Sequence, residues 1–176
     1  MKNKKAEKQI FYLTLTSVMI AMSVIFCRFL GFSAEGTPFR FEIGFLPIAF
    51  IGYMLGPIYS GMGYLVADII GSLFSGYAPN IWISLTKLAA GLLFGFFFHK
   101  KRFNLTGTIV AFSFVAVAVD FILMSPIFVY MYAWTWKYTL VMRAINAAIN
   151  LVIRVTFYYF LMRLLKKQMD GLIKKF

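Results

Sequence analysis

FRFEIGFLPIAFIGYMLGPIYSGMGYLVADIIGSLFSG, residues 39–76, sets the architecture of the whole chain. It holds two apolar segments joined almost without a loop at Gly56-Pro57. Gly52 and Gly56 are four residues apart, and Ser60, Gly61 and Gly63 carry the small-residue pattern past Pro57. In lipid, burying apolar area does not by itself pair helices, so small faces that let backbones approach supply the packing. Proline just past a helix end loses little by lacking an N–H. The stretch reads as a tight helical hairpin inside a membrane, with its acid Asp68 turned toward protein or water.

Composition agrees. Of 176 residues, 61% are hydrophobic and 14% charged, against about 25% charged in soluble domains, and the mean hydropathy is +0.81. The length allows one domain, residues 1–176, and at roughly 20 residues per span it accommodates about six membrane helices. The net charge of +12 is not spread over a face. Twelve of the 18 Lys and Arg fall in three clusters: Lys2 to Lys8, Lys100 to Arg102, and Arg163 to Lys175. With an even number of spans all three lie on one side, as the positive-inside rule expects, which places both termini in the cytoplasm. A nucleic-acid surface would need an exposed basic face with stacking aromatics, and this pattern is a different one. The one cysteine, Cys27, excludes an internal disulfide and a multi-cysteine metal site.

The expected spans are about 9–30, 41–55, 58–74, 80–98, 105–129 and 139–165, an all-α bundle of six transmembrane helices. Span one carries a small-residue edge with Ser17 and Ala21 four apart, which packs on another helix of the chain or on a partner. Arg28 ends it. Residues 31–40, GFSAEGTPFR, form an external polar loop with Glu35 and Arg40, a reasonable cover over a bundle. Pro47 lies within span two and frees a backbone carbonyl there. Asn80 is placed to cap span four. Lys87 sits more than a turn inside that span, able to pair with Asp68 or to meet an anion. Span five carries Asp120 and Pro126, and the stretch 130–138, YMYAWTWKY, is an aromatic belt at headgroup level. Arg143, Asn146, Asn150 and Arg154 in span six are spaced three, four and four apart, one polar face that must meet protein or water.

No phosphate-binding loop ending in Lys-Ser/Thr is present, and no Ser/His/Asp, Cys/His or multi-histidine set, so neither ATP hydrolysis nor another enzymatic activity is expected, and no cofactor or metal. What remains is a polar group in the outer halves of the helices: Arg28, Arg40, Asp68, Asn80, Lys87, Asp120 and Arg143, with Phe39 and Trp82 able to stack beside it. Basic members outnumber acids, so such a cavity prefers an anion. A flat heteroaromatic carboxylate suits it: arginine meets carboxylate bidentately, and aromatics cover a ring face.

Gly44-Phe45-Leu46-Pro47-Ile48, Leu55-Gly56-Pro57-Ile58 and Ala67-Asp68-Ile69-Ile70-Gly71 are similar to runs in the substrate-binding S components of energy-coupling factor (ECF) vitamin transporters. With Arg28-Phe29-Leu30 and Thr37-Pro38 the chain most resembles the folate branch. The resemblance implies high-affinity capture of a vitamin outside, under the first external loop of a multi-pass prokaryotic plasma-membrane protein. Association with a membrane scaffold subunit and two ATPases then follows, and the S component topples to release its cargo inside. It further implies that Ser17 and Ala21 contact the scaffold, and that Arg28 and Arg143 belong to the vitamin site. Residues 78–84, APNIWIS, together with Lys87 and Asp120, depart from the folate-type pattern and leave another anionic vitamin, such as pantothenate, as the alternative. A structural membrane protein whose buried charges only pair with each other is a further alternative. The surplus of basic groups disfavours it. A stand-alone secondary transporter lacks support, since no internal repeat or paired broken helices are visible.

Overall fold

The structure is a computed structural model that describes residues 2–33, 40–41, 43–76, 78–99 and 103–175, with side chains described for 5–31, 41, 43–76, 78–99 and 103–172. Six helical rods are present among these residues. They are α1 (Lys2–Phe29), α2 (Phe45–Leu55), α3 (Pro57–Phe74), α4 (Ile81–Phe98), a rod built of α5 (Leu105–Val115), a π-helical segment (Ala116–Leu123) and α6 (Met124–Tyr132), and α7 (Trp136–Lys175). Between α1 and α2 a two-residue antiparallel pair, β1 (Phe32–Ser33) and β2 (Arg40–Phe41), sets Phe32 opposite Phe41 and Ser33 opposite Arg40.

The hairpin at the centre forms as the sequence predicts. Gly56 has φ +94° and Pro57 opens α3, so one left-handed residue turns the chain between two helices. The Gly56 N–H bonds the Gly52 carbonyl, and its own carbonyl accepts from Ser60 N, so Gly56 closes the last turn of α2 and the first turn of α3. The joint seats against α4. A Cβ on Gly95 would lie 2.2 Å from Pro57 Cα, and one on Gly91 would lie 2.5 Å from the Ser60 carbonyl oxygen. The small pairs of the two segments are therefore the contact surface itself, with backbones touching as lipid-embedded helices require.

α2 is the buried axis, with Phe45 through Met54 all inside. Its neighbours supply an aromatic core around Tyr158 of α7. Phe98 stacks on Tyr158 at 4.5 Å between centroids, Phe112 meets it edge-on at 5.4 Å, and Phe50 stacks at 5.8 Å. Such pairs contribute roughly 0.5–1.5 kcal/mol each beyond their area burial.

Several expected boundaries shift. The second helix begins at Phe45, not at 41, because Phe41 belongs to β2. Pro47 is thus in the first turn, where a missing N–H removes no internal bond, and it frees no carbonyl inside the helix. α2 has 11 residues, about 16 Å at 1.5 Å per residue, roughly half of the ~30 Å hydrocarbon layer. Among the described residues four segments are long and apolar enough to cross a membrane: Lys5–Phe29, Ile81–Phe98, Leu105–Tyr132 and Trp136–Leu172. α2 does not cross on its own length, and it is clad in protein instead of lipid. α7 starts three residues before the expected 139–165 and runs ten residues past its end. Its 40 residues extend about 60 Å, so its basic C-terminal third lies beyond a single hydrocarbon thickness. There Tyr53 of α2 donates its hydroxyl to Asp170 Oδ1 at 2.6 Å, tying that extension back to the bundle.

Candidate ligand-binding site

The rod from 105 to 132 changes from α to π winding at Ala116–Leu123. Pro126, third in α6, offers no N–H to the turn before it, and that turn is the widened one. The Met124 N–H bonds the Phe121 and Val119 carbonyls, and the Ser125 hydroxyl donates to Phe121 O at 2.5 Å. The Asp120 carbonyl accepts from a side chain on α7: Arg143 donates through Nε at 3.1 Å and Nη2 at 2.5 Å. The Asp120 carboxylate pairs with Arg154, about three turns further along the same face of α7.

Arg143, Asn146, Asn150 and Arg154 are all buried, with exposures of 5%, 5%, 4% and 6%. Asn150 Nδ2 donates to the Asn146 carbonyl and to Asn146 Oδ1, at 2.9 and 2.7 Å. The polar stripe read from spacing is therefore an internal face of α7. With Lys87 from α4 and Asp120 it lines a cavity of about 40 Å³. Among the described residues the charged groups on its wall are Lys87, Arg143, Arg154 and Asp120.

Lys87 joins this slot to a second cavity of about 20 Å³, shared with Asp68, Tyr64 and Ser23. Lys87 Nζ donates to the Tyr64 hydroxyl at 3.3 Å and lies 5.0 Å from that ring's centroid, a cation–π arrangement. Asp68 Oδ2 accepts from Ser84 Oγ at 2.8 Å, so its described partner is a hydroxyl on α4. The two cavities form one polar layer from α3 through α4 and the π segment to α7.

Of the residues singled out in the sequence, the structure brings Asp68, Lys87, Asp120 and Arg143 into this layer. Asn80 caps α4, accepting from Trp82 N at 3.0 Å and Ile83 N at 3.3 Å, while its amide reaches Met131 Sδ at 3.1 Å. Trp82 is 60% exposed. Arg28, Ser17 and Ala21 line a separate groove between α1 and α3. Phe39 and the Arg40 side chain, together with the polar cover expected over 31–40, lie outside the described residues. Asn146, Asn150 and Arg154 belong in the layer although charge surplus alone does not single them out; their helical spacing does. Tyr64 and Ser84 carry no such signal, since a tyrosine or serine in an apolar run reads as packing.

Helices of membrane-crossing length around a buried, cation-rich polar layer define a helical membrane protein with an internal polar site. Residues 8–167 match the family model described as the ECF-type riboflavin transporter, S component, and the chain belongs to that family. It is also similar to the "Folate transporter FolT" of Clostridium novyi (strain NT), 26% identical over 116 residues that cover 64% of this chain. The chain spans 65% of the length of that curated relative. A crystal structure of FolT bound with folic acid superposes with a TM-score of 0.75 at 30% identity, covering 85% of this chain and 90% of that one.

Proposed function

We propose that the protein is the vitamin-capturing S component of an ECF importer and that its cargo is folate. The observation that carries this reading is the internal cavity on which Lys87, Arg143 and Arg154 converge with Asp120. Folate offers two carboxylates at one end and a flat heteroaromatic ring at the other. Arg143 and Lys87 suit the carboxylates, and Asp68 and Asp120 suit the ring's donors. Phe128, whose ring lies 5.0 Å from the Arg143 guanidinium, offers an aromatic face beside it. The similarity to a folate transporter and to a folate-bound structure supports the same choice. A slot of about 40 Å³ is smaller than a vitamin, so binding parts α7 from the α3–α4 pair and exchanges some internal ion pairs for ligand contacts.

The description of the matched family favours a second reading, riboflavin. Riboflavin is uncharged, so it would offer the arginines no carboxylate to meet bidentately. Pantothenate is anionic but has no ring. Thermal unfolding of the purified protein in detergent separates the three, because a ligand stabilises in proportion to the logarithm of its concentration over Kd. Folate is expected to give the large shift. A shift with riboflavin alone would overturn the folate assignment and keep the S component.

The same reading places the chain in the plasma membrane as one domain of six helices with both termini inside, the short α2 buried within the bundle. ATP is hydrolysed by two partner ATPases, and a scaffold subunit meets α1 at Ser17 and Ala21. Both residues are exposed, and only 6% of the α1 membrane window is buried within the chain, which leaves this helix the most available for a partner.

A further inference from the structure

Where α4 passes to α5, the bundle holds a cavity of about 220 Å³ that shares no lining residue with the polar layer. Rings line it: Tyr53 of α2, Phe98 of α4, Phe103 of the connecting turn and Tyr158 of α7. Phe98 stacks on Tyr158 at 4.5 Å between centroids, and Phe103 meets Tyr158 at 6.4 Å. Most polar groups on the wall are already engaged. The Thr108 hydroxyl donates to the Asn104 carbonyl at 2.9 Å, Asn104 Oδ1 accepts from Gly107 N at 2.8 Å, and the Tyr53 hydroxyl donates to Asp170. Tyr158 is fully buried, and its hydroxyl has no hydrogen-bond partner among the described residues.

We propose that this cavity is a second ligand site, for a neutral molecule of one aromatic ring carrying one hydroxyl group. A cavity of about 150 Å³ holds benzene, so the volume here admits one ring with a small substituent and excludes a molecule of folate's size. The aromatic walls offer edge and face contacts to such a ring. The hydroxyls of ligand and Tyr158 can each donate and accept, so together they satisfy a group that the fold leaves unmet. Charge decides against the other one-ring and cage ligands. Lys166 Nζ lies 5.8 Å from the Phe103 ring centroid, which disfavours a cationic guest among these rings. A carboxylate inside would lose its water with no cation among the described lining residues to meet it. Asn104 and Gly107 are exposed, so the entrance lies at the start of α5, and the site works independently of vitamin capture in the polar layer.

The test titrates para-fluorophenol into the full chain in nanodiscs, without any vitamin, and reads the fluorine NMR signal against empty nanodiscs. Saturable binding beyond the empty discs is expected. Tyr158→Phe keeps the ring and removes the hydroxyl; it is expected to weaken para-fluorophenol on the order of tenfold and to leave fluorobenzene unchanged. Thr108→Leu narrows the cavity while its main-chain bond to the Asn104 carbonyl is retained, and it is expected to weaken both probes. Absence of saturable binding, or equal para-fluorophenol affinity in the wild type and Tyr158→Phe, would overturn the proposal. Binding untouched by Thr108→Leu would put the probe outside this cavity and overturn it as well. Tetramethylammonium bound as tightly as para-fluorophenol would mark a cage for cations, and that too would overturn it. Since no vitamin is present, failure here leaves the folate reading standing.

Discussion

Arg143 holds Asp120 by its main chain: the guanidinium Nε and Nη2 both reach the Asp120 carbonyl oxygen, at 3.1 and 2.5 Å. The carboxylate of the same residue is thereby left to Arg154. One aspartate, on a π-wound turn, thus anchors two arginines of α7 through two different groups. This joins two buried arginines of α7 to the π segment through one residue.

Removing the acid exposes that dependence. Asp120→Asn removes the carboxylate that Arg154 meets on the π segment, and the loss is expected to be about 3 kcal/mol. Thermal unfolding in detergent, with Asp120→Asn and Arg154→Met combined in a double-mutant cycle, measures the coupling. Additive effects would show that the pair is not an energetic unit.

Arg143 serves both the fold and the proposed ligand. Arg143→Gln keeps a donor for the Asp120 carbonyl but loses the charge, so folate affinity is expected to fall on the order of tenfold or more. Titration calorimetry with folate checks this, and circular dichroism confirms that the bundle persists. Unchanged affinity would move the carboxylate site elsewhere.

The seat of the hairpin on α4 tolerates no side chain. Gly95→Ala places a methyl group 2.2 Å from Pro57 Cα, and since the obstacle is backbone the expected cost is above about 3 kcal/mol. Gly171→Ala, with nothing within 4 Å, is the control and is expected to stabilise α7 by up to about 1 kcal/mol. Yield of folded protein after size exclusion distinguishes them.

Tyr158 is fully buried at the centre of the aromatic core, and its hydroxyl has no partner among the described residues. An unsatisfied buried hydroxyl costs about 1–3 kcal/mol, so Tyr158→Phe is expected to raise the unfolding midpoint while keeping the stack on Phe98. A lower midpoint would mean that water in the adjoining cavity of about 220 Å³ satisfies the hydroxyl.

Much of this was legible without coordinates, for definite reasons. Apolar runs of membrane length report helices because lipid leaves backbone groups no other partner. Glycine and serine spacing at 52–63 and 91–95 reports the close hairpin seat, because only small residues let helix backbones touch. The spacing of Arg143, Asn146, Asn150 and Arg154 reports one helical face, because the helix period alone puts them in line. Other features depend on contacts between segments far apart in the chain. Whether Asp68 meets a lysine or the Ser84 hydroxyl depends on the rotation of α3 against α4. Asn80, read as a ligand group and as a cap, is committed to the cap by the start of α4. Arg28 and Arg143 look alike in sequence, each a basic residue near a helix end, yet one lies in the α1–α3 groove and the other in the polar layer. Period and composition constrain each helix separately; which helix a side chain faces is set by packing, through shape and charge contributed by other parts of the chain.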